Sequence, residues 1–509
     1  MTLKEVSSER LWRWLKGNSF IIGLLSLIWF VARTGRKPSR SIYPCQQVAA
    51  LNGQIWLATY VFPVLAIVRK PFSSLNSVKL ALLGLGLIAV VGIASLSLFG
   101  TRDNDGNEPV ATPSPSPTQS PGIASILTLK ASTATSQPAS DIFAITGTSG
   151  NDGGFSKLLD LMGSHGLLFY KSGTSGKNKG PSGLIDVNDV VIVKVNCQWD
   201  ERGGTNTDLL KELIKAVTGH PDGFVGEVIV ADNGQAQGGS SGHGGSLNWA
   251  NSNAEDRSQS AQRVVDSFAY SSSFRVSTYL WDTITEKRVA EYSEGDMEDG
   301  YVVNATANER TRIMVSYPKF RAKSGTYVSF KMGIWDPQKR VYDGDRLKVI
   351  NVPVMKSHSV YGLTASVKHY QGVVSDKLTA SLGSRSHNTI AWGGMGTEMV
   401  ETRFPVLNII DAIWVNAVPL GGPATSYSRA TNVKVIAAST DPVALDYWAA
   451  KRILCAVCEA NGWGDTSSMD PDNRRSGEFG GWLRLSMEEL NAAGYGFTCD
   501  EDRISVHVN

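Results

Sequence analysis

The chain has 509 residues, and its 49 Lys and Arg side chains nearly balance its 47 Asp and Glu side chains, for a formal net charge of +2. This balance excludes a strongly basic nucleic-acid-binding protein and an acidic disordered chain, so we expect no nucleic-acid partner. Five cysteines are too few for a disulfide-rich scaffold. Residues 1–100 hold 11 basic and 2 acidic side chains, a net of +9, which leaves −7 for the remainder. This division predicts a membrane-facing segment joined to a soluble domain.

Residues 80–99 form the most apolar segment of the N-terminal region, twenty residues without a charge. At about 1.5 Å per helical residue the segment is about 30 Å long, which matches the hydrocarbon core of a bilayer. Residues 20–32 and 55–68 are weaker candidates, because the first is short and Pro63 would kink the second. We predict an N-terminal α-helical membrane anchor over residues 1–100, with three transmembrane helices or with a re-entrant hairpin before a single span.

Basic residues predict the orientation of this anchor. Arg69, Lys70 and Lys79 precede the best span, so the positive-inside rule places everything after it outside the cytoplasm. In the three-pass arrangement, four basic residues between positions 33 and 40 would lie outside the cytoplasm, which conflicts with the positive-inside rule. The hairpin keeps this loop in the cytoplasm and removes the conflict. Residues 101–140 are rich in Pro, Ser and Thr and predict an extended linker. We therefore expect a protein of the cell membrane, bound to the lipid bilayer through its anchor, with its soluble domain extracytoplasmic.

Strand-like and helix-like patterns alternate in the soluble domain, residues 141–509. Residues 190–195 (VVIVKV) are typical of a buried parallel strand. Residues 205–217 have helical spacing, and residues 227–231 (EVIVA) are the next strand, so the three segments predict a β-α-β unit. The fold class is therefore α/β, with a mostly parallel sheet flanked by helices.

Further elements follow along the same domain. Residues 346–354 and 433–438 are two more strand candidates, and Asp441 followed by Pro442 predicts the start of a helix. Residues 240–330 are less regular, and we interpret them as an insertion with its own hairpins.

Polar side chains follow the predicted strands, where ligands of open α/β sheets bind. Each such residue also fits an ordinary turn or helix cap, but their repetition at successive strand ends favours a site. There the lysines would hold an anionic group, while His and Asp would support acid–base chemistry or orient the other groups. The predicted catalytic residues are Lys356, His358, Lys368 and Asp446, and the predicted ligand-binding residues are Lys194, Asn196, Asp232, His369 and Asp441.

The same blocks resemble a known family. The segments KVN at 194–196, PVMKSH at 353–358, VKHYQG at 367–372 and STDPVALD at 439–446 are similar to the domain-of-unknown-function family 362, over about residues 186–455. The resemblance implies an α/β domain, often exported or fused to ferredoxin-like iron–sulfur modules, without a settled activity. This chain has no C-x-x-C-x-x-C run, so an iron–sulfur cluster is not expected. His369 stands where family members usually carry Asn.

Two features leave alternatives open. Asp446 lies within an otherwise apolar helix, so it is either a ligand or catalytic acid, or a buried partner of a nearby Lys or Arg. Cys455 and Cys458 form a C-x-x-C that is a redox pair, half of a metal site or two core thiols, and either could form a disulfide with Cys499.

The leading functional hypothesis is an enzyme of unassigned reaction that acts on an anionic or metal-bound small molecule. A divalent metal is a candidate cofactor, of open identity. One alternative is a non-catalytic surface binding or assembly protein, and another is a redox accessory protein that uses Cys455 and Cys458.

Overall fold

The computed structural model describes residues 27–29, 31, 127, 129–137, 140–236, 244–268, 271, 273–381 and 384–509. The chain divides into two units, Met1–Ser114 and Pro115–Asn509, and the fold given below is that of the second. Within the described residues no helix combines the length and the apolarity that crossing a membrane requires. Most of the predicted linker and nearly all of the predicted anchor, including the best span at 80–99, lie outside the described residues.

Nineteen strands are assigned within the described residues. They are β1 (Ser140–Thr146), β2 (Tyr170–Lys171), β3 (Lys179–Gly180), β4 (Val190–Val195), β5 (Glu227–Asp232), β6 (Arg275–Leu280), β7 (Gly300–Val303), β8 (Ser316–Arg321), β9 (Tyr327–Ser329), β10 (Gly333–Asp336), β11 (Val341–Asp343), β12 (Leu347–Val352), β13 (Val354–His358), β14 (Gly362–Thr364), β15 (Ala380–Ser381), β16 (Ser384–Arg385), β17 (Leu407–Asn416), β18 (Thr431–Ser439) and β19 (Ile504–Val508).

The α-helices of the described residues flank these strands. They are α1 (Gly154–Ser164), α2 (Thr207–Thr218), α3 (Ala261–Asp266), α4 (Ser366–His369), α5 (Gly394–Glu401), α6 (Pro442–Ala449), α7 (Ala456–Ala460) and α8 (Phe479–Ala492), and a π-helical turn, Ala450–Cys455, joins α6 to α7.

The main sheet has the strand order β19-β1-β18-β17-β12-β4-β5-β6, and β13 and β14 extend it beside β17. Neighbours along this order are parallel except for the two pairs that β18 makes with β1 and β17. The predicted α/β class with a mostly parallel sheet flanked by helices is therefore confirmed. β18 runs the other way, but β17 begins where β12 ends, so Ser439 at the carboxyl end of β18 lies in the same row as Asn351 and Lys194, three strands away from Lys194.

Both faces of the main sheet are buried, which explains why β4 is apolar almost throughout. Val191 and Val193 pack on one face with side chains of α1 and α2. Ile192 and Ile229 pack on the other face, in a core shared with α4, α5, α6, α8 and the smaller sheet. A strand covered on two sides has no polar face, so the buried Lys194 near the end of β4 is an exception that needs an explanation.

Residues 240–330 differ from a simple insertion. They supply β6 to the edge of the main sheet, and β7, β8 and β9 to an antiparallel sheet of order β11-β10-β9-β8-β7, which continues to Asp343. The predicted hairpins are therefore confirmed, whereas the pattern did not indicate that one strand joins the main sheet.

The predicted strand over residues 346–354 is divided at Pro353 into β12 and β13. Proline has no N–H to donate to a neighbouring strand, and after it the chain leaves the side of β4 and pairs only with β17 and β14. This shift carries Lys356 and His358 beyond the end of β4.

Candidate functional site

The ends of β4 and β5 hold a buried ion pair. Lys194 lies in register with Ala231 of β5 and Asn351 of β12, so it occupies the centre of the sheet. Its Nζ is 2.6 Å from Asp232 Oδ1, and both side chains are at most 2% exposed. The other carboxylate oxygen, Oδ2, accepts a hydrogen bond from the backbone N–H of Cys197. Lys194 and Asp232 thus lie together as predicted, and they form an ion pair with each other.

This ion pair packs directly against the backbone of Gly372. A Cβ atom at that position would lie 2.5 Å from Lys194 Nζ and would also collide with the Asp232 carboxylate. The Gly372 carbonyl accepts a hydrogen bond from the backbone N–H of Asn233, at the end of β5. The segment after α4 is therefore held against the strand ends, which brings Lys368 and His369 toward Lys194.

Lys356 projects from β13 into the same region. Its Nζ donates to the backbone carbonyl of Gly203, and burial, with a contribution from the charge of Lys368, lowers its pKa to about 7. Asn196 acts on the backbone here, because its Oδ1 accepts from the N–H of Val354, 2.9 Å away, and so fixes the start of β13 to the end of β4. Asn196 therefore positions a strand in this structure.

Lys368 differs from the other two lysines because its amine is unengaged. It is 6% exposed, and no described residue forms a hydrogen bond or ion pair with its Nζ, which lies 5.9 Å from the centre of the Tyr361 ring. Burial lowers its pKa to about 8. Its charge also lowers the pKa of Lys356, His358, His369, His387 and Glu398. The charge of Lys368 therefore affects the protonation of all five of these groups.

Two histidines lie together beside Lys368. The rings of His358 and His387 are 5.5 Å apart, and each lies within 6 Å of the Tyr361 ring. Burial holds the pKa of His358 well below its usual value and that of His387 at about 3, so both are neutral at physiological pH. Nδ1 of His358 accepts from the N–H groups of Val360 and Tyr361. Its proton is therefore on Nε2, which is a donor.

His369 faces the sheet. Its Nδ1 is 2.7 Å from Asn351 Oδ1, an acceptor, so Nδ1 carries the proton. Asn351 is fixed in this orientation because its Nδ2 donates to Ser366 O and Asn408 Oδ1. Burial lowers the pKa of the ring well below its usual value and outweighs an interaction with the backbone of Val195, which raises that pKa.

Asp446 binds backbone N–H groups and makes no ion pair with a described residue. Its Oδ1 accepts from the N–H of Ser366 at 2.7 Å and its Oδ2 from that of Val367 at 2.8 Å. It thereby caps the first turn of α4, the helix that carries Lys368 and His369. Burial raises its pKa to about 7. Neither of the roles predicted for Asp446 describes these contacts, which position α4 from a neighbouring helix.

Asp441 contacts none of the lysines of the cluster, because both of its carboxylate oxygens accept hydrogen bonds elsewhere. Its Oδ1 accepts from the N–H groups of Val443 and Ala444 at the start of α6, which confirms the predicted helix start. Its Oδ2 accepts from the hydroxyl of Ser140 and the N–H of Thr498. Asp441 is therefore the N-cap of α6.

A buried acid beside Lys368 has no signal in the sequence. Glu398 of α5 is fully buried, and burial raises the pKa of its carboxyl well above the usual value, which favours the protonated form. Its Oε1 contacts the hydroxyl of Ser386, which is also 3.1 Å from Gln371 Oε1. Its Oε2 and the Gln371 Nε2 are buried without partners among the described residues. Glu398, which interacts electrostatically with Lys368, and Gln371 thus each keep one unfilled hydrogen-bonding atom.

Metal and redox chemistry have weaker structural support. Within the described ranges no group of three or more His, Cys, Asp or Glu side chains is arranged to hold a metal ion. Cys197, Cys455, Cys458 and Cys499 are unpaired and buried. Burial raises the pKa of the Cys455 and Cys499 thiols to about 12, which opposes formation of the reactive thiolate.

The arrangement offers hydrogen-bond donors and positive charge on side chains that are almost completely buried. Lys356 and Lys368 provide ammonium groups, and His358 provides a neutral donor. A negatively charged group bound there would gain charge-assisted hydrogen bonds at low local dielectric constant. Bound between the two lysines, it would also raise their pKa values toward normal.

Comparison with known proteins gives one match. No curated protein and no solved structure matches the chain. The family match given next does not include Lys194, Asn196 or Asp232, although the resemblance predicted from the sequence, over about residues 186–455, did include them. Residues 339–451, which carry Lys356, His358, Lys368 and Asp446, match the model of the family described as Domain of unknown function (DUF362), and over that stretch the predicted resemblance is confirmed.

Proposed function

We propose that the α/β domain binds a small anionic molecule in the cluster of Lys356, His358, Lys368 and His387, and that it is an enzyme of unassigned reaction acting on that molecule. The single observation that carries this proposal is the unengaged amine of Lys368, 6% exposed and without a hydrogen-bond or ion-pair partner among the described residues. A buried ammonium group without a counter-ion is costly, and a bound anion supplies that counter-ion.

The other two lysines support the assignment by contrast. Lys194 is paired with Asp232, and Lys356 donates to Gly203 O. A purely structural role for the cluster would be expected to satisfy Lys368 in a similar way. The same contrast favours ligand binding over the alternative in which these residues only maintain the fold.

The location belongs to the proposal as well. We propose that residues 1–100 anchor the protein in the cell membrane and that the α/β domain lies on the extracytoplasmic side. The uncharged segment at 80–99 and the net +9 of the first hundred residues support this arrangement.

The test is a binding measurement on the full-length protein. Isothermal titration with a panel of small carboxylates and phosphates compares the wild type with Lys368→Gln, and with Lys339→Gln as the matched control, because the Lys339 side chain is 78% exposed. We expect at least one anion to bind the wild type and the control equally, and to bind Lys368→Gln at least about tenfold more weakly. Equal binding to both variants, or no binding by the wild type, would refute the proposal.

A further inference from the structure

Lys194, Lys356 and Lys368 differ in whether their amine is free to react. The Nζ of Lys194 lies 2.6 Å from a carboxylate oxygen, and that of Lys356 donates to a backbone carbonyl. The Nζ of Lys368 has no hydrogen-bond or ion-pair partner among the described residues and lies 5.9 Å from the centre of the Tyr361 ring. A nucleophilic amine needs an available lone pair and a path to the substrate, and Lys368 alone meets the first of these conditions.

We infer that Lys368 is a nucleophile that forms an imine with the carbonyl carbon of an anionic aldehyde or ketone held in this cluster. The inference rests on the proposed anion-binding function, because the negative charge of the substrate would be held by Lys356 and by the Nε2–H of His358. It adds a substrate class, a carbonyl acid, and a covalent step to that function.

The surroundings of Lys368 favour the neutral amine. Burial is the main cause and is a condition that activates lysine nucleophiles; the charges of Glu398 and Asp376 raise the pKa of the amine, and that of Lys194 lowers it. With a pKa of about 8, about a tenth of the amine is unprotonated at neutral pH. The neighbouring histidines do not compete for an incoming electrophile as cations or bases of normal strength, because burial lowers their pKa values strongly.

The step balances without an external oxidant or reductant. The nitrogen lone pair attacks the carbonyl carbon, the C=O π electrons move to oxygen, and a proton passes from nitrogen to that oxygen. The resulting carbinolamine loses water as the C–O bond breaks and the C=N bond forms. Glu398, whose carboxyl interacts electrostatically with Lys368 and whose protonated form is favoured by burial, would lend the proton that the departing hydroxyl requires and recover one from nitrogen.

Reductive trapping tests the inference on the full-length protein. Glyoxylate is added with sodium cyanoborohydride, which reduces an imine to a stable secondary amine, and the modified lysines are located by peptide mass mapping. We expect one reduced adduct at Lys368, formed at least about tenfold faster than at the exposed Lys339. We expect that adduct to be lost in Lys368→Arg, because a guanidinium keeps the charge but does not condense with a carbonyl.

Glycolate, which has a hydroxyl group in place of the aldehyde, separates this inference from the proposed function. If glycolate binds in a Lys368-dependent way but glyoxylate leaves no selective adduct at Lys368, the nucleophile is refuted and the anion site stands. If labelling is equal at Lys339 and Lys368, or selective for Lys194 or Lys356, the inference is likewise refuted. Selective labelling of Lys368 in the wild type supports it even if Lys368→Arg folds poorly.

Discussion

Lys368 is the residue on which the account depends most. A lysine in a packed core costs stability because the folded protein must either desolvate the ammonium group or release its proton. Three lysines lie within a few ångströms of the strand ends in this domain, each at most 6% exposed, where apolar side chains of similar volume would pack well. An arrangement that costs stability in the free protein is typical of a binding site.

Replacing Lys368 with Met should therefore stabilise the domain while removing ligand binding. The pKa of Lys368 falls from 10.5 to about 8 on folding, so the native state binds fewer protons than the unfolded state. The penalty is then fully present below about pH 8 and disappears as the pH rises toward 10.5. We expect Lys368→Met to raise the free energy of unfolding by about 1–3 kcal/mol at neutral pH, measured by urea unfolding.

The exposed Lys339→Met is the control for this change, and we expect it to alter the free energy of unfolding by less than about 0.5 kcal/mol. If Lys368→Met lowered the free energy of unfolding while Lys339→Met left it unchanged, the prediction would be wrong, and Lys368 would have a partner that stabilises the fold.

Gly372 gives a second prediction at the residue scale. Its Cα touches the buried Lys194–Asp232 pair, so Gly372→Ala has to displace that pair or the backbone. We expect a loss of about 1–3 kcal/mol in the free energy of unfolding. Gly173→Ala is the matched control, because a Cβ there meets nothing within 4 Å. Equal stability of the two variants would show that the Lys194–Asp232 pair does not require this close approach.

At the level of elements, two aspartates that lie five residues apart in the sequence cap different helices. Asp441 follows β18 and caps the start of its own helix, α6. Asp446, further along α6, reaches α4 and caps it. Alternating strand and helix patterns indicate an α/β sheet but not the direction of each strand, because β-branched runs look alike in both directions.

The two caps should therefore respond differently to the same substitution. Asp→Asn removes the charge, and one of the two bonded oxygens, from each cap. We expect Asp446→Asn and Asp441→Asn each to lower the free energy of unfolding by about 1–2 kcal/mol. Only Asp446→Asn should also weaken anion binding, by about tenfold, because it releases the helix that carries Lys368.

Calorimetric titration of both aspartate variants checks this difference. If Asp441→Asn weakened binding as much as Asp446→Asn, the effect would come from general loss of stability, and the positioning role of Asp446 would be wrong.

For the molecule as a whole, the cluster joins segments that lie far apart in the chain. The polar residues at the ends of β4, β5 and β13 were predictable, because parallel neighbouring strands end at one edge of a sheet. His387 and Glu398 were not, since they follow no strand of the main sheet, and only the packing of α4 and α5 in the shared core brings them to Lys368. Such non-local contacts leave no pattern in the local sequence.

The difference in net charge between residues 1–100 and the rest of the chain predicts on which side of the membrane the α/β domain lies. Arg102 and Lys130 lie in the Pro-, Ser- and Thr-rich linker, between the proposed anchor and the α/β domain. We expect trypsin added outside intact spheroplasts to cut this linker and release a fragment that contains the α/β domain, while a cytoplasmic marker protein stays intact. Protection of the linker until the membrane is permeabilised would place the domain on the cytoplasmic side.

The pH dependence of anion binding tests the central claim, that cationic lysines hold the ligand, most directly. The pKa values of Lys356 and Lys368 are about 7 and about 8, whereas His358 and His387 are already neutral. Asp446, with a pKa of about 7, adds negative charge over the same range and changes binding in the same direction.

Titration calorimetry with the tightest-binding carboxylate of the panel should therefore give an affinity that is constant between about pH 5 and about pH 6.5 and falls above it, approaching tenfold per pH unit for each lysine that loses its proton. Lys368→Gln should lose the part of this decline near pH 8. An affinity that is independent of pH, or that rises with pH, would contradict the account.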